Sequence, residues 1–226
     1  MQDQTNAEMM AIGNSKFTGV KTLAYATFHD IFGKDAKSVA KSVLANLTDY
    51  ATTASDAING VISQENIMTN YQKQYDLLFS SEVPMVEILF IPTHSPALVT
   101  QFWTLLPFSR GNVHISSSDP NDHPYINPNY FMLEWDLLAH TAVMKYIRKV
   151  YHTAPLKDMI MMEKTPGFAI PKNATDAQWN GYAKENCKFQ TPALDYFLLS
   201  NLISPLKLSP YWYCGHDAAR NGRSCQ

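Results

Sequence analysis

The chain has 226 residues, 46% apolar side chains and a formal charge of −2, which is enough apolar material for one or two packed domains. The near-neutral balance excludes the basic stripe of a nucleic-acid-binding domain, and no apolar run approaches the roughly 18 residues of a membrane span. Met1 is followed by polar residues, Gln2 to Asn6, so no secretory leader is expected.

Residues 1–35 hold isolated glycines, Gly13, Gly19 and Gly33, and no strong periodic pattern. The spacing then predicts a helix over 36–62, where Val39, Val43, Leu47, Ala51, Ala54, Ile58 and Val61 recur on one face. Gly60 weakens its far end. A second helix is predicted near 64–79, with Ile67, Tyr71, Tyr75 and Leu78 aligned. Val83 to Ile91, VPMVEILFI, is β-branched and almost wholly apolar, as a buried strand would be. Glu87 stands in its middle. An isolated buried carboxylate is costly, so Glu87 either lines a polar pocket or forms a structural salt bridge. Trp103, just before Leu105-Leu106-Pro107, is either a core residue or a ligand platform.

Ser109-Arg110-Gly111 reads as a tight turn into a short alternating strand, with Val113 and Ile115 on one face. From Ser116 to Pro128 the chain is polar and studded with proline, and the Asp119-Pro120 and His123-Pro124 steps disfavour helix. A helix is predicted from Leu133 to His152, with Glu134 and Asp136 early and Lys145, Arg148 and Lys149 late, as the helix dipole favours. Pro155 closes it. The last predicted helix spans 176–186, with Asp176 as its N-cap. The fold class expected is α+β, with strands between 83 and 116 packed against helices.

Taken alone, the chemical residues name no reaction. The seven histidines are scattered, without a His-Glu-x-x-His or His-x-His pair, and no Gly-x-Ser-x-Gly, Walker or Gly-x-Gly-x-x-Gly motif occurs. The three cysteines, Cys187, Cys214 and Cys225, all fall within the last 40 positions. Their odd number and spacing give neither a disulfide framework nor a metal site, but they mark a change of character near 187. Asn46-Leu47-Thr48 and Asn173-Ala174-Thr175 are glycosylation sequons, making Asn46 and Asn173 the glycan acceptors expected.

Several stretches in fixed order resemble the glucose–methanol–choline (GMC) flavin oxidoreductases, in their sugar-oxidising fungal branch. They are WTLLPFSRGNVHI at 103–115, DPNDHPYINPNYF at 119–131, LEWDLLAHTAV opening the helix at 133, TPGFAI at 165–170 and TDAQWNGYAKEN at 175–186. The likeness is strong over 83–186 and extends back to 36. It implies FAD as cofactor and oxidation of a sugar at its anomeric carbon, with hydride passing to the flavin and a histidine taking the hydroxyl proton. It implies an antiparallel sheet flanked by helices, the substrate-binding portion at 36–186, and no Rossmann-like flavin domain. Residues 1–35 are then a poorly defined remnant of a preceding region. Glu87 and Trp103 match positions lining the sugar pocket, and Asn186 matches the asparagine before the catalytic segment. The partner implied is a sugar, with no nucleic acid and no membrane, and the family setting is secreted.

After Asn186 the family pattern would read NFRSNYHPIGTAAMMPRE-x-GGVVD, containing the proton-accepting histidine. The chain instead reads NCKFQTPALDYFLLSNLISPLKLSPYWYCGHDAARNGRSCQ. Cys187-Lys188-Phe189 can be encoded with the intron donor GTAAGT, Ser200-Asn201 with a CTAAC branch sequence, and Ser204 with an acceptor AG. Joined across that gap, the codons of Pro205 to Cys225 permit FRSNYHPIGTAAMMPREMGGVV in another frame. Trp212 forces its glycine, and Ser209 with Pro210 allows its histidine. Residues 187–226 are therefore expected to be an aberrant, disordered tail of unspliced intron and shifted exon. No catalytic residue is expected in the chain, His216 not being the family base, and the chain is expected to be inactive alone. The alternatives are a non-catalytic carbohydrate-binding fragment and a fragment without a stable fold.

Overall fold

The computed structural model of the chain describes residues 1–15, 17–93 and 96–189. In chain order the elements are β1 (Thr5–Gly13), β2 (Thr22–Thr27), α1 (Phe28–Phe32), α2 (Ala36–Ala57), α3 (Gln64–Ser80), β3 (Pro84–Pro92), β4 (Ala97–Thr104), β5 (Asn112–His114) and β6 (Tyr125–Asn127). They continue with α4 (Glu134–Tyr151), α5 (Leu156–Met159), β7 (Ile160–Thr165), α6 (Asp176–Asn186) and β8 (Lys188–Phe189). The main sheet runs β2-β3-β4-β1-β7, with β8 also on β1, and every described pairing is antiparallel. The α+β class and the antiparallel sheet flanked by helices are those expected.

Side chains alternate across a pleated strand, so in-register residues share a face. Ala7, Met9 and Ala11 of β1 pair with Phe102, Thr100 and Leu98 of β4, and Val86 and Ile88 of β3 pair with Thr104 and Phe102. All are buried, and they join Leu47, Tyr71, Val143, Met144 and Ile147 from the helices in one core. On this side the Tyr151 hydroxyl donates to Thr100 Oγ1 at 2.6 Å.

Residues 1–35 correct the expectation of a poorly defined remnant. β1 lies inside the sheet, between β4 on one edge and β7 with β8 on the other. Its period-two pattern hides behind alanines and polar residues of low strand propensity. A capping box between Thr27 and Asp30 starts α1.

The helix predicted over 36–62 ends earlier, at Ala57. Asn59 and Gly60 turn left-handed, with φ of 54° and 69°, and the Gly60 N–H closes back on the Ser55 carbonyl at 2.9 Å. Val61 is consequently 72% exposed instead of extending the apolar stripe. The N-cap of α6 is Thr175, not Asp176: Thr175 is extended and forms a capping box with Gln178, leaving Asp176 in the first turn. The strand near 113 also departs from expectation. It pairs with β6 in a separate two-stranded ribbon, and Val113 and Ile115 are exposed. Between Pro124 and Pro128 only three residues form β6, too few to carry a periodic signal. Of the tail expected to be disordered, Cys187 is buried at the end of α6 and Lys188–Phe189 pair with β1. The remainder, including Cys214, Cys225 and His216, lies outside the described residues.

Candidate functional site

The run from Leu106 to Gly111 is a scaffold, and its hydrogen bonds say why these residue types stand there. Gln74 on α3 donates to the carbonyls of Leu106 and Pro107 at 2.8 and 3.1 Å. Arg110 turns back so that Nη1 meets the carbonyls of Pro107, Phe108 and Ser109, while Nη2 donates to Gln74 Oε1 at 2.9 Å. Tyr71 donates to the Phe108 carbonyl, and its ring lies 5.0 Å from the Arg110 guanidinium carbon. From α4, Asp136 accepts the Phe108 and Ser109 N–H groups at 2.7 and 2.6 Å. Burial pushes the Asp136 carboxyl up, with Ser109, the two N–H donors and Arg110 pulling the other way. Both carboxylate oxygens accept, a geometry suited to the ionised form. At Gly111 a Cβ would stand 2.3 Å from the Asn127 carbonyl oxygen and 2.6 Å from Pro128 Cα. Only glycine lets the two backbones touch there.

This scaffold anchors the end of β4 and so aims the face of the sheet away from the helices. On that face Glu87 of β3 stands directly opposite Trp103 of β4. Asn6 of β1 faces Trp103 from the other side, and Tyr25 of β2 faces Glu87. One row across four strands therefore reads Tyr25, Glu87, Trp103, Asn6. The neighbouring row reads Leu23, Leu89, Gln101, Glu8. Directly opposed residues have Cβ atoms about 4.5–5.5 Å apart, so one aromatic ring lies between a carboxylate and an amide. Glu87, Trp103, Gln101 and Glu8 are all partly exposed. An apolar ring face bordered by acceptors and amides can hold the C–H face of a polyhydroxylated ring while bonding its hydroxyl groups.

The two residues singled out on the apolar strand and before the signature are thus brought together. Asn186 is not aimed at them in the same way: it ends α6, is exposed, and donates to the Tyr182 carbonyl of its own helix at 2.9 Å. Two residues later, however, Lys188 pairs with Asn6, so the chain leaving Asn186 runs beside the Trp103 row. Asn46 lies on α2 and donates to Ser42, whereas Asn173 is exposed in the loop before α6. Asn6, Glu8, Tyr25 and Gln101 were not found from sequence. The available signal was short: Asn6 and Glu8 flank Ala7 in β1, and Gln101 and Trp103 flank Phe102 in β4.

His140 is the fully buried histidine among the described residues, and it lies on the opposite side of the sheet. Its ring packs against Phe102 and Phe131, and Nδ1 lies 3.3 Å from Thr5 Oγ1. Burial pushes its pKa down to about 3. Among the described residues no group of acidic, histidine and cysteine side chains could hold a metal ion, and no helix is long and apolar enough to cross a membrane.

Residues 107–192 match the GMC oxidoreductase family. Glucose oxidase-like protein fsoC of Humicola fuscoatra is 32% identical over 163 residues, covering 72% of this chain and 27% of that protein. Glucose oxidase 1 of Penicillium expansum is 33% identical over 190 residues, 82% of this chain and 30% of that one. The chain therefore spans under a third of the length of these relatives. An FAD-dependent oxidoreductase from Chaetomium thermophilum shares the fold, with a TM-score of 0.64, over 84% of this chain and 37% of that structure at 14% identity.

Proposed function

We propose that this chain, which belongs to the glucose–methanol–choline oxidoreductases through their substrate-side portion, forms the wall of a sugar site in an FAD-dependent oxidation of a CH–OH group. The observation that carries this reading is the in-register pair Glu87–Trp103 on the face of the sheet away from its own core. Trp103 would take the apolar face of a pyranose, and Glu87 would accept from its hydroxyl groups, fixing which carbon is presented. The names of the relatives, glucose oxidases among them, support a glucose-type substrate. A secreted setting is part of the same proposal, as the family resemblance implies.

FAD is the cofactor of this family and supplies the hydride acceptor when bound. The described residues do not fit its pyrophosphate. Two carboxylates, Glu8 and Glu87, lie on the open face, and no Gly-x-Gly-x-x-Gly loop is present to cradle phosphates. What the chain's own residues do is bind and orient. The proton acceptor is not His140, which is buried on the far side of the sheet beside Phe102.

The chain alone is therefore read as inactive, with the family histidine displaced into another frame after Asn186. Sequencing spliced transcript across codons 186–226 tests that part, and a colinear message in every spliced form would refute it. A second reading, a non-catalytic sugar-binding fragment, is favoured by the core that the described helices and sheet form with each other. Glucose binding by the purified chain supports the sugar-site reading, and oxidation of that glucose by the protein read from the spliced transcript separates it from the second, for which binding without oxidation is expected. No glucose binding, with a broad melting transition, refutes both.

A further inference from the structure

The substrate reading leaves one side chain on the open face unexplained. Gln101 sits two residues before Trp103 on the same face of β4, opposite Glu8 on one side and Leu89 on the other. Its Nε2 donates to Glu8 Oε2 at 3.3 Å. Its Oε1 is buried and accepts no hydrogen bond among the described residues. A carboxylate can only accept, so the NH2 end of the amide must face Glu8. An amide free to flip would present either end, whereas this one is oriented by a charge. The result is a carbonyl oxygen of fixed direction, buried and in need of a donor.

Same-face neighbours along a strand stand about 7 Å apart, two rises of roughly 3.4 Å. A pyranose stacked on Trp103 lies beside that oxygen, and a ring hydroxyl reaches it once the side chains that cover it shift. A neutral hydroxyl suits the position, since Gln101 is uncharged and the hydroxyl can donate to it without bringing a charge of its own.

We infer that Gln101, held in orientation by Glu8, is a specificity-determining residue whose amide oxygen accepts from one hydroxyl of a sugar lying on Trp103. The inference rests on the substrate reading above. It adds a requirement for a hydroxyl at one ring position, which stacking on Trp103 and capture by Glu87 do not impose.

The test is NMR titration of the full chain with D-glucose and its monodeoxy analogues. Wild type is expected to bind one deoxy analogue about tenfold more weakly than glucose. Gln101→Met, of similar length and volume but without the amide, should bind glucose as weakly as wild type binds that analogue, and should discriminate no further against it. Glu8→Gln keeps the packing but removes the orienting charge, and should erode the same discrimination several-fold; it serves if Gln101→Met fails to fold. Unchanged discrimination in both variants, or equal weakening for every sugar, overturns the inference and assigns the amide oxygen to a buried water. If Trp103→Ala abolishes glucose binding while Gln101→Met leaves discrimination intact, this inference fails and the substrate reading stands. No glucose binding by wild type overturns both.

Discussion

Glu87 and Trp103, sixteen residues apart along the chain, face each other directly across β3 and β4. Asn6, from the other end of the described chain, closes the row on the far side of the indole. The row stands on the face of the sheet opposite the one filled by the core. That separation makes the binding role testable apart from folding. Trp103→Ala should lower glucose affinity by at least tenfold, and Glu87→Gln by roughly three- to tenfold, with melting temperatures within a few degrees of wild type. Paired titration and thermal melts check this; a large fall in melting temperature in both variants would make the pair structural.

Gly111→Ala should be strongly destabilising. The added methyl would meet the backbone of Asn127 and Pro128 at under 3 Å, and backbone atoms cannot swing aside as a flexible side chain would. Overpacking of this kind costs about 2–3 kcal/mol, read as a shift of the urea midpoint with an unchanged slope.

Asp136→Asn keeps size and loses fit. The amide can accept one of the two N–H groups of Phe108 and Ser109, but its own NH2 then confronts the other. Leaving a buried donor unpaired, with Arg110 losing its nearby countercharge, should cost about 2–4 kcal/mol. Chemical denaturation measures it, and a change below about 1 kcal/mol would mean that the scaffold does not depend on this carboxylate.

His140 gives stability a defined pH dependence. Its folded pKa is depressed from 6.5 to about 3 by burial, so below pH 6.5 the unfolded chain binds a proton that the native chain refuses. Its contribution is fully present above pH 6.5 and falls as the pH drops toward 3, by up to about 1.4 kcal/mol per pH unit. Denaturation of wild type and His140→Gln between pH 4 and 7 should show a shallower slope in the variant, whatever its absolute stability. Parallel slopes would show that the native state admits the proton.

Much of the helical framework was legible in one dimension. The faces of α2, α3 and α4 recur every three to four residues, so their sides and rough limits could be read locally, as could the apolar run of β3. The end of α2 was less legible, because a stripe reaching Val61 looks continuous until Asn59 and Gly60 adopt positive φ. β1 was missed for a different reason. Ala7, Met9 and Ala11 have the period of a strand but little of its propensity, and burial between β4 and β7 overrides that weakness.

The family signature and the identities of Glu87 and Trp103 as unusual residues were determined by the sequence itself. Their adjacency was not, nor was the row that Asn6 completes or the orientation Glu8 imposes on Gln101. Strand order and register decide these, and both come from which apolar faces bury together across segments far apart in the chain. A one-residue slip in register would turn Trp103 into the core and Phe102 out of it. The sequence singles out Glu87 and Trp103, and the packing of the sheet decides which residues they meet.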